Sequence, residues 1–187
     1  RGWSYDDVLP YFKKSEHYVQ GGDAEVRGQG GPLKVEDYRT ILPLTHRFVE
    51  AAQQVGFAFS KDLNGRMQEG VGYSQMTRKG RFRGSTAQTF LAEARKRENL
   101  RIETGSLATR LLLDGKRCVG VAFRQRGSDR EARAAREVIL CGGAFNSPQL
   151  LELSGVGRRE VLAQAGVPLL HELPLVGENL SEHVYSP

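Results

Sequence analysis

A four-residue apolar run, Val138-Ile139-Leu140-Cys141, meets Gly142-Gly143-Ala144 with no spacer, and a helical pattern starts straight after it. An unbroken apolar run of this length is the mark of a strand covered on both faces. Glycines at its carboxyl end offer backbone rather than side chain to whatever lies above the strand. The helix that follows is predicted with Ser147 as cap, Pro148 at its first position and Leu150, Leu151 and Leu153 facing inward. Gly155 stops it, within Ser154-Gly155-Val156-Gly157. In an open α/β sheet, ligands sit at the carboxyl ends of strands. By spacing alone the junction is open to two readings, plain strand–turn–helix packing or a contact with a nucleotide.

Upstream, the period is that of strands. Leu100 to Thr104 reads as a short strand; Leu107, Thr109, Leu111 and Leu113 alternate with their neighbours, and Asp114-Gly115 makes a hairpin turn. Val119, Val121 and Phe123 alternate on the return, Gly127-Ser128-Asp129 forms a second turn, and a third strand begins at Arg133 to Val138. These make a three-stranded antiparallel meander feeding the apolar run. Nearer the start, Ser4 and Asp7 form a capping box, Trp3 is placed to staple against Val8, and Pro10 should end or kink the helix. Residues 21–31 are a glycine-rich loop, and Gly31 to Val35 a short strand leaving it. Pro43 to Val55 is a helix with Leu44, Phe48, Ala51, Ala52 and Val55 inward. Asn64 to Gly72 is a loop, and Ser85 to Arg97 a helix with Thr86, Phe90, Leu91 and Ala94 inward. A last short helix covers 159–165, closed by Gly166, and the tail from Val167 is extended. The fold class is mixed α and β, with at least one parallel-type βα unit carrying an inserted meander.

Composition narrows the function classes. At 187 residues, 39% hydrophobic and 26% charged, the chain is an ordinary globular sequence. No apolar run nears the ~20 residues that span a bilayer. The net charge of +5 is spread evenly, except in Arg78-Lys79-Gly80-Arg81-Phe82-Arg83. That run is read as a solvated loop, or one over an anionic ligand, rather than a nucleic-acid site, because one short patch is a small footprint. Cys118 and Cys141 lie in apolar stretches and are expected as small buried hydrophobes, not a disulfide or ligand pair. His17, His46, His171 and His183 are read as structural or surface residues, with His183 the one to watch.

At the junction the pattern becomes specific. Gly143-Ala144-Phe145-Asn146-Ser147-Pro148-Gln149-Leu150-Leu151-Glu152-Leu153-Ser154-Gly155-Val156-Gly157 resembles the second signature of the glucose-methanol-choline oxidoreductase family. The flanks agree. Trp3 to Glu16 is similar to the family's helix before its substrate domain, Pro10 included. Asp62-Leu63-Asn64-Gly65 with Gln68-Glu69-Gly70-Val71-Gly72 resembles a family loop; Arg136 to Leu140 and Val176-Gly177-Glu178-Asn179-Leu180 fit as well. Two positions depart: the family's Ser-Ala-Gly reads Cys141-Gly142-Gly143, and its Pro-Gly-Val-Gly reads Pro174-Leu175-Val176-Gly177.

The resemblance implies an FAD-dependent enzyme that oxidises a primary alcohol to an aldehyde by hydride transfer to flavin, closest to the choline dehydrogenase branch. It implies a piece of the FAD/NAD(P)-binding-type fold with an inserted antiparallel β-meander, plus part of the substrate-binding domain. The expected division is 1–40 as FAD-domain helix and connecting loop, 41–78 as substrate-domain segment and 79–187 as FAD-domain segment. By position, Ala108 would meet the adenine end of FAD through its backbone, with Cys141, Gly142 and Gly143 beneath the adenosine. The sequence contains no Gly-x-Gly-x-x-Gly cradle for the pyrophosphate and no histidine in the family's catalytic context, so no catalytic residue and no metal ligand is assigned. Its opening Arg1-Gly2-Trp3 and closing Tyr185-Ser186-Pro187 read as those of an internal segment, inactive alone and prone to self-association. Expected partners are a small alcohol and an electron acceptor, with no nucleic acid and no transmembrane segment. The expected location is cytoplasmic or peripheral to the inner membrane. The rival class is a non-catalytic binding module that uses a basic surface.

Overall fold

The computed structural model describes residues 2–183; residue 1 and residues 184–187, which hold the two chain ends read above, lie outside the described residues. The chain forms two compact units that divide between Arg101 and Ile102.

The first unit opens with helix α1 (Tyr5–Ser15). Its start is fixed by a reciprocal cap, with the Asp7 N–H donating to Ser4 Oγ at 3.3 Å and the Ser4 N–H to Asp7 Oδ2 at 3.1 Å. Pro10 does not end the helix, which continues to Ser15. Proline removes one intrahelical bond there, but the box holds one end, and at the other Ser15 Oγ and the Glu16 N–H both donate to the Phe12 carbonyl. Trp3 is 86% exposed, so the expected staple to Val8 is not made.

Strand β1 (Glu16–Tyr18) follows directly and pairs in parallel with β2 (Leu33–Asp37) across the glycine-rich loop. Strand β3 (Gln75–Lys79) runs antiparallel to β2, and the short β4 (Phe82–Arg83) returns on β3. The basic run is therefore a hairpin rather than a loop. Helix α2 (Pro43–Gln54) forms as expected but buries Val49, while Leu44, Phe48 and Val55 stay in solvent. Its richest apolar stripe has nothing in this unit to pack on. Helix α3 is only Phe90–Ala94. The turn before it is taken by Ser85, whose carbonyl accepts from the backbone N–H groups of Gln88 and Thr89 and from Thr89 Oγ1. That local bonding competes with helix extension, leaving Thr86 exposed and Thr89 buried.

Residues 100–104, which straddle the division between the units, are irregular, because among the described residues no strand pairs with them. The meander is present as β5 (Ser106–Asp114), β6 (Arg117–Gln125) and β7 (Ser128–Arg133), all antiparallel in that order. Its second turn is Arg126-Gly127, both at positive φ, so β7 ends where the third strand was expected to begin. Register shifts between Ala108 and Arg110 and between Leu112 and Leu113 break the alternation on β5. Leu111 and Leu112 are consequently both buried, and Leu107 is exposed.

The run Val138 to Cys141 is not a strand. Ile139 is 74% exposed and Cys141 is also exposed; among the described residues no neighbouring backbone offers the ladder bonds a buried strand requires. Helix α4 (Gly143–Leu153) begins four residues before the expected cap, with Gly142 as N-cap and Pro148 inside. The Gly142 N–H donates to Ser147 Oγ at 3.0 Å, so the serine serves the helix start from within its second turn. Leu153, expected inward, is half exposed. Strand β8 (Val156–Gly157) pairs in parallel with β9 (His171–Glu172), around helix α5 (Arg159–Gln164) with its fully buried Leu162.

Candidate cofactor cleft and the surrounding polar networks

A cleft of about 490 Å³ opens in the second unit between β5 and the start of α4. Ser106, Leu107 and Ala108 form one wall, residues 138–142 form the other, and Asn146, Gln149, Leu150 and Leu153 of α4 close its base. Of the four residues picked out in the sequence, Ala108, Cys141 and Gly142 line this cleft together. Gly143 stands next to it as the first helical residue. Its φ of +82° suits glycine, and the space where a side chain would project is empty. The register shift on β5 begins at Ala108, the last residue of that strand to line the cleft.

No charged side chain lines the cleft. Apolar carbons from Leu107, Ile139, Leu140, Leu150 and Leu153 are joined by the amides of Asn146 and Gln149 and the hydroxyl of Ser106. Flat heteroaromatic ligands are held by this kind of surface, apolar walls with a few polar groups for orientation, in sites of this size. The residues present fit an uncharged heteroaromatic group such as the adenosine end of a dinucleotide. Sequence reading missed Asn146 and Gln149 as lining residues; their i, i+3 spacing on one helix face was the available signal.

The first unit holds a different constellation. Tyr18 and Arg27 are both buried, with the guanidinium carbon 3.9 Å from the centre of the Tyr18 ring. Arg27 also reaches Glu16 at 3.2 Å, Asp62 at 3.7 Å and the Gln75 amide oxygen at 3.1 Å. The Tyr18 hydroxyl donates to Asp37 at 3.1 Å and accepts from the Gln75 amide at 2.9 Å. Burial, then the Asp37 carboxylate, pushes the Tyr18 phenol up to about 12. Asn64 donates to Gln75 at 2.9 Å, so the Asp62-to-Gly65 loop is pinned to this network. Glu36 is likewise buried under Lys34, Arg78 and Arg39, and the Lys34 hydrogen bond leads in holding its carboxyl below the usual range.

Within the basic hairpin, Arg78 is paired with Glu36, and Lys79 donates to the Gln88 carbonyl at 2.6 Å. Two of its four cations thus bind within the unit. The histidines take structural places: His17 Nδ1 accepts from the Gly30 N–H at 3.0 Å, His46 Nδ1 lies 2.7 Å from the Tyr73 hydroxyl, and His171 belongs to β9. His183 is exposed. Cys118 is half-buried and Cys141 exposed, so only the first approaches the expected environment, and both thiols are free. Among the described residues, no helix is long and apolar enough to cross a membrane.

Comparison with known proteins bears on these sites. The family model for GMC oxidoreductase matches residues 1–185. The chain is 46% identical over 185 residues to the oxygen-dependent choline dehydrogenase of Chromohalobacter salexigens, covering 97% of this chain and 33% of that protein. It is 44% identical over 184 residues to the mitochondrial choline dehydrogenase of Homo sapiens, covering 98% and 31%. The pyridoxine 4-oxidase structure from Mesorbium loti superposes with a TM-score of 0.84 at 35% identity, covering 93% of this chain and 34% of that one. An FAD-dependent oxidoreductase from Chaetomium thermophilum gives 0.84 at 27% identity, covering 92% and 32%. The chain spans about a third of the length of the curated relatives it matches.

Proposed function

The chain belongs to the GMC oxidoreductase family, and from that membership we propose that it is a segment of an FAD-dependent enzyme oxidising a primary alcohol to the aldehyde. The observation that carries this reading is the uncharged cleft where Ala108, Cys141 and Gly142 meet, shaped for the adenosine end of the cofactor. The chemistry that bound FAD would supply is a hydride acceptor for the alcohol carbon. This chain's own contribution would be binding: Ala108 through its backbone, with Cys141, Gly142 and Gly143, would hold the adenosine end, and the leucines of α4 would exclude water from the base. Residues 1–40 and 79–187 are assigned to the FAD-binding domain and 41–78 to the substrate-binding domain.

The choline dehydrogenases among the relatives support a small, choline-like alcohol as substrate. Electrons then pass to an external acceptor, and the enzyme works in the cytoplasm or against the inner membrane. The pyrophosphate cradle is not in this sequence, so the 187-residue chain alone should hold FAD weakly and turn nothing over. The test is flavin absorbance after desalting, on this chain and on the full-length polypeptide that contains it. A yellow full-length protein and a colourless segment are expected. A full-length protein that stays colourless after incubation with excess FAD would overturn the proposal and favour a non-catalytic binding module.

A further inference from the structure

The two sides of the cleft come from segments far apart in sequence, and one buried hydroxyl joins them. Strand β5 is at the margin of its sheet, so backbone groups on its outer side have no strand partner. The Leu111 N–H donates instead to Ser154 Oγ at 2.7 Å. The same hydroxyl donates to the Leu150 carbonyl, one turn back in α4, at 2.5 Å. Ser154 is only 6% exposed, so water does not stand in for either bond.

The position of this bridge matters for the cleft. Leu111 lies three residues beyond Ala108, across the register shift that begins there. Leu150 is itself part of the cleft base. Just beyond the end of α4 the chain is already fixed, because the Gly155 carbonyl accepts from the N–H groups of Leu170 and His171 at 2.8 and 3.0 Å. What remains to be set is the spacing between β5 and α4, and the Ser154 hydroxyl is the polar contact that sets it.

We propose that Ser154 is a positioning residue for the adenine end of the flavin cofactor: its bridge from Leu111 to Leu150 holds the Ala108 wall at the correct distance from Gly142. The inference rests on the FAD reading of the cleft. It requires no contact between Ser154 and the cofactor.

The experiment compares apoprotein of the full-length polypeptide as wild type, S154A, S154C and T89A. The S154C thiol is a near-isostere and keeps a weak donor and acceptor. T89A removes the same kind of buried back-bond in the other unit, where Thr89 Oγ1 donates to the Ser85 carbonyl at 3.0 Å. FAD affinity is read by flavin fluorescence titration, folding by Tm, and the bridge by hydrogen exchange at the Leu111 amide. The expected result is FAD binding about tenfold weaker in S154A, from loss of one buried hydrogen bond. S154C should be intermediate, and T89A should lower Tm with wild-type affinity. The Leu111 amide should exchange faster in S154A alone. Wild-type affinity in folded S154A overturns the proposal, as does an equal loss in T89A, which would mark general destabilisation. If S154A fails to fold, wild-type affinity in S154C overturns it. A wild-type protein with no FAD affinity removes the cofactor reading itself, a different outcome from wild-type binding that S154A shares.

Discussion

Replacing Arg27 by methionine should cost the first unit about 4 kcal/mol. The side chain is 4% exposed, and methionine keeps most of its stem volume, so the change isolates the guanidinium. Four contacts go at once, the hydrogen bond to the Gln75 amide oxygen at 3.1 Å among them. The pair with Glu16 at 3.2 Å and the approach to Asp62 at 3.7 Å leave two carboxylates facing a space with no counter-charge. Removing one partner of a buried pair costs roughly 3–5 kcal/mol, most of it the penalty of the stranded charge. The face of the Tyr18 ring also loses its cation, worth roughly 1–2 kcal/mol when desolvated, though the two losses overlap. The Glu16 carboxylate keeps one donor, the Gly28 N–H at 2.8 Å, which argues for the middle of the range. Urea denaturation followed by tyrosine fluorescence reads the shift in midpoint at constant slope. Adding Glu16→Gln and Asp62→Asn to Arg27→Met should recover part of the loss, because the stranded charges are then gone. A single-variant loss under about 1 kcal/mol, or a triple variant weaker than the single, would refute the account of Arg27 as counter-ion to buried carboxylates.

Three further outcomes can be checked. Alkaline absorbance titration should show one tyrosine ionising near 12; the native phenol holds its proton longer than the unfolded one, so stability is complete below pH ~10 and declines as pH rises from there toward 12. Gly155→Ala should destabilise the second unit by about 2–4 kcal/mol, combining a positive φ with a Cβ only 2.5 Å from the Pro168 carbonyl oxygen; a midpoint unchanged in urea would contradict that geometry. In the full-length polypeptide, FAD at a hundred times its Kd should slow alkylation of Cys141 about a hundredfold while leaving the half-buried Cys118 unaffected; equal rates with and without FAD would take the cofactor away from this cleft.

What the sequence disclosed was local. Ser4 and Asp7, Asp114-Gly115 and Gly166 each act within a few residues of themselves, and each is found where it was expected. The elements that went unseen depend on distant partners. Glu16-His17-Tyr18 is too short to announce itself, and it becomes a strand only by lying beside Leu33-Lys34-Val35. The opposite error has the same cause. Val138 to Cys141 has the composition of a covered strand, but composition supplies no neighbour, and the run stays irregular and partly exposed. Helix α2 was correct as a helix and wrong in its buried face, since amphipathicity marks a stripe without saying what meets it. For the cleft, Ala108, Cys141 and Gly142 were singled out through the family resemblance, and the fold brings these three to one cleft. The bridge through Ser154 was not, because a hydroxyl's partner forty-three residues away leaves no trace in spacing.

The meander also has a property that its strand order makes plain. A sheet grows by recruiting strands at its open margins, and this one has two. At the far side, all six residues of β7 are exposed, and Asp129, Arg130, Glu131 and Arg133 present both signs of charge along it. An incoming strand would have to match that sequence of signs or strip it of water. At the near side, the Leu111 N–H, which would begin a new ladder, is already taken by Ser154 of the covering helix. One margin repels a newcomer and the other is capped, so the sheet stops at three strands and is a poor template for polymerisation even when the rest of the surface is rich in exposed leucine and phenylalanine.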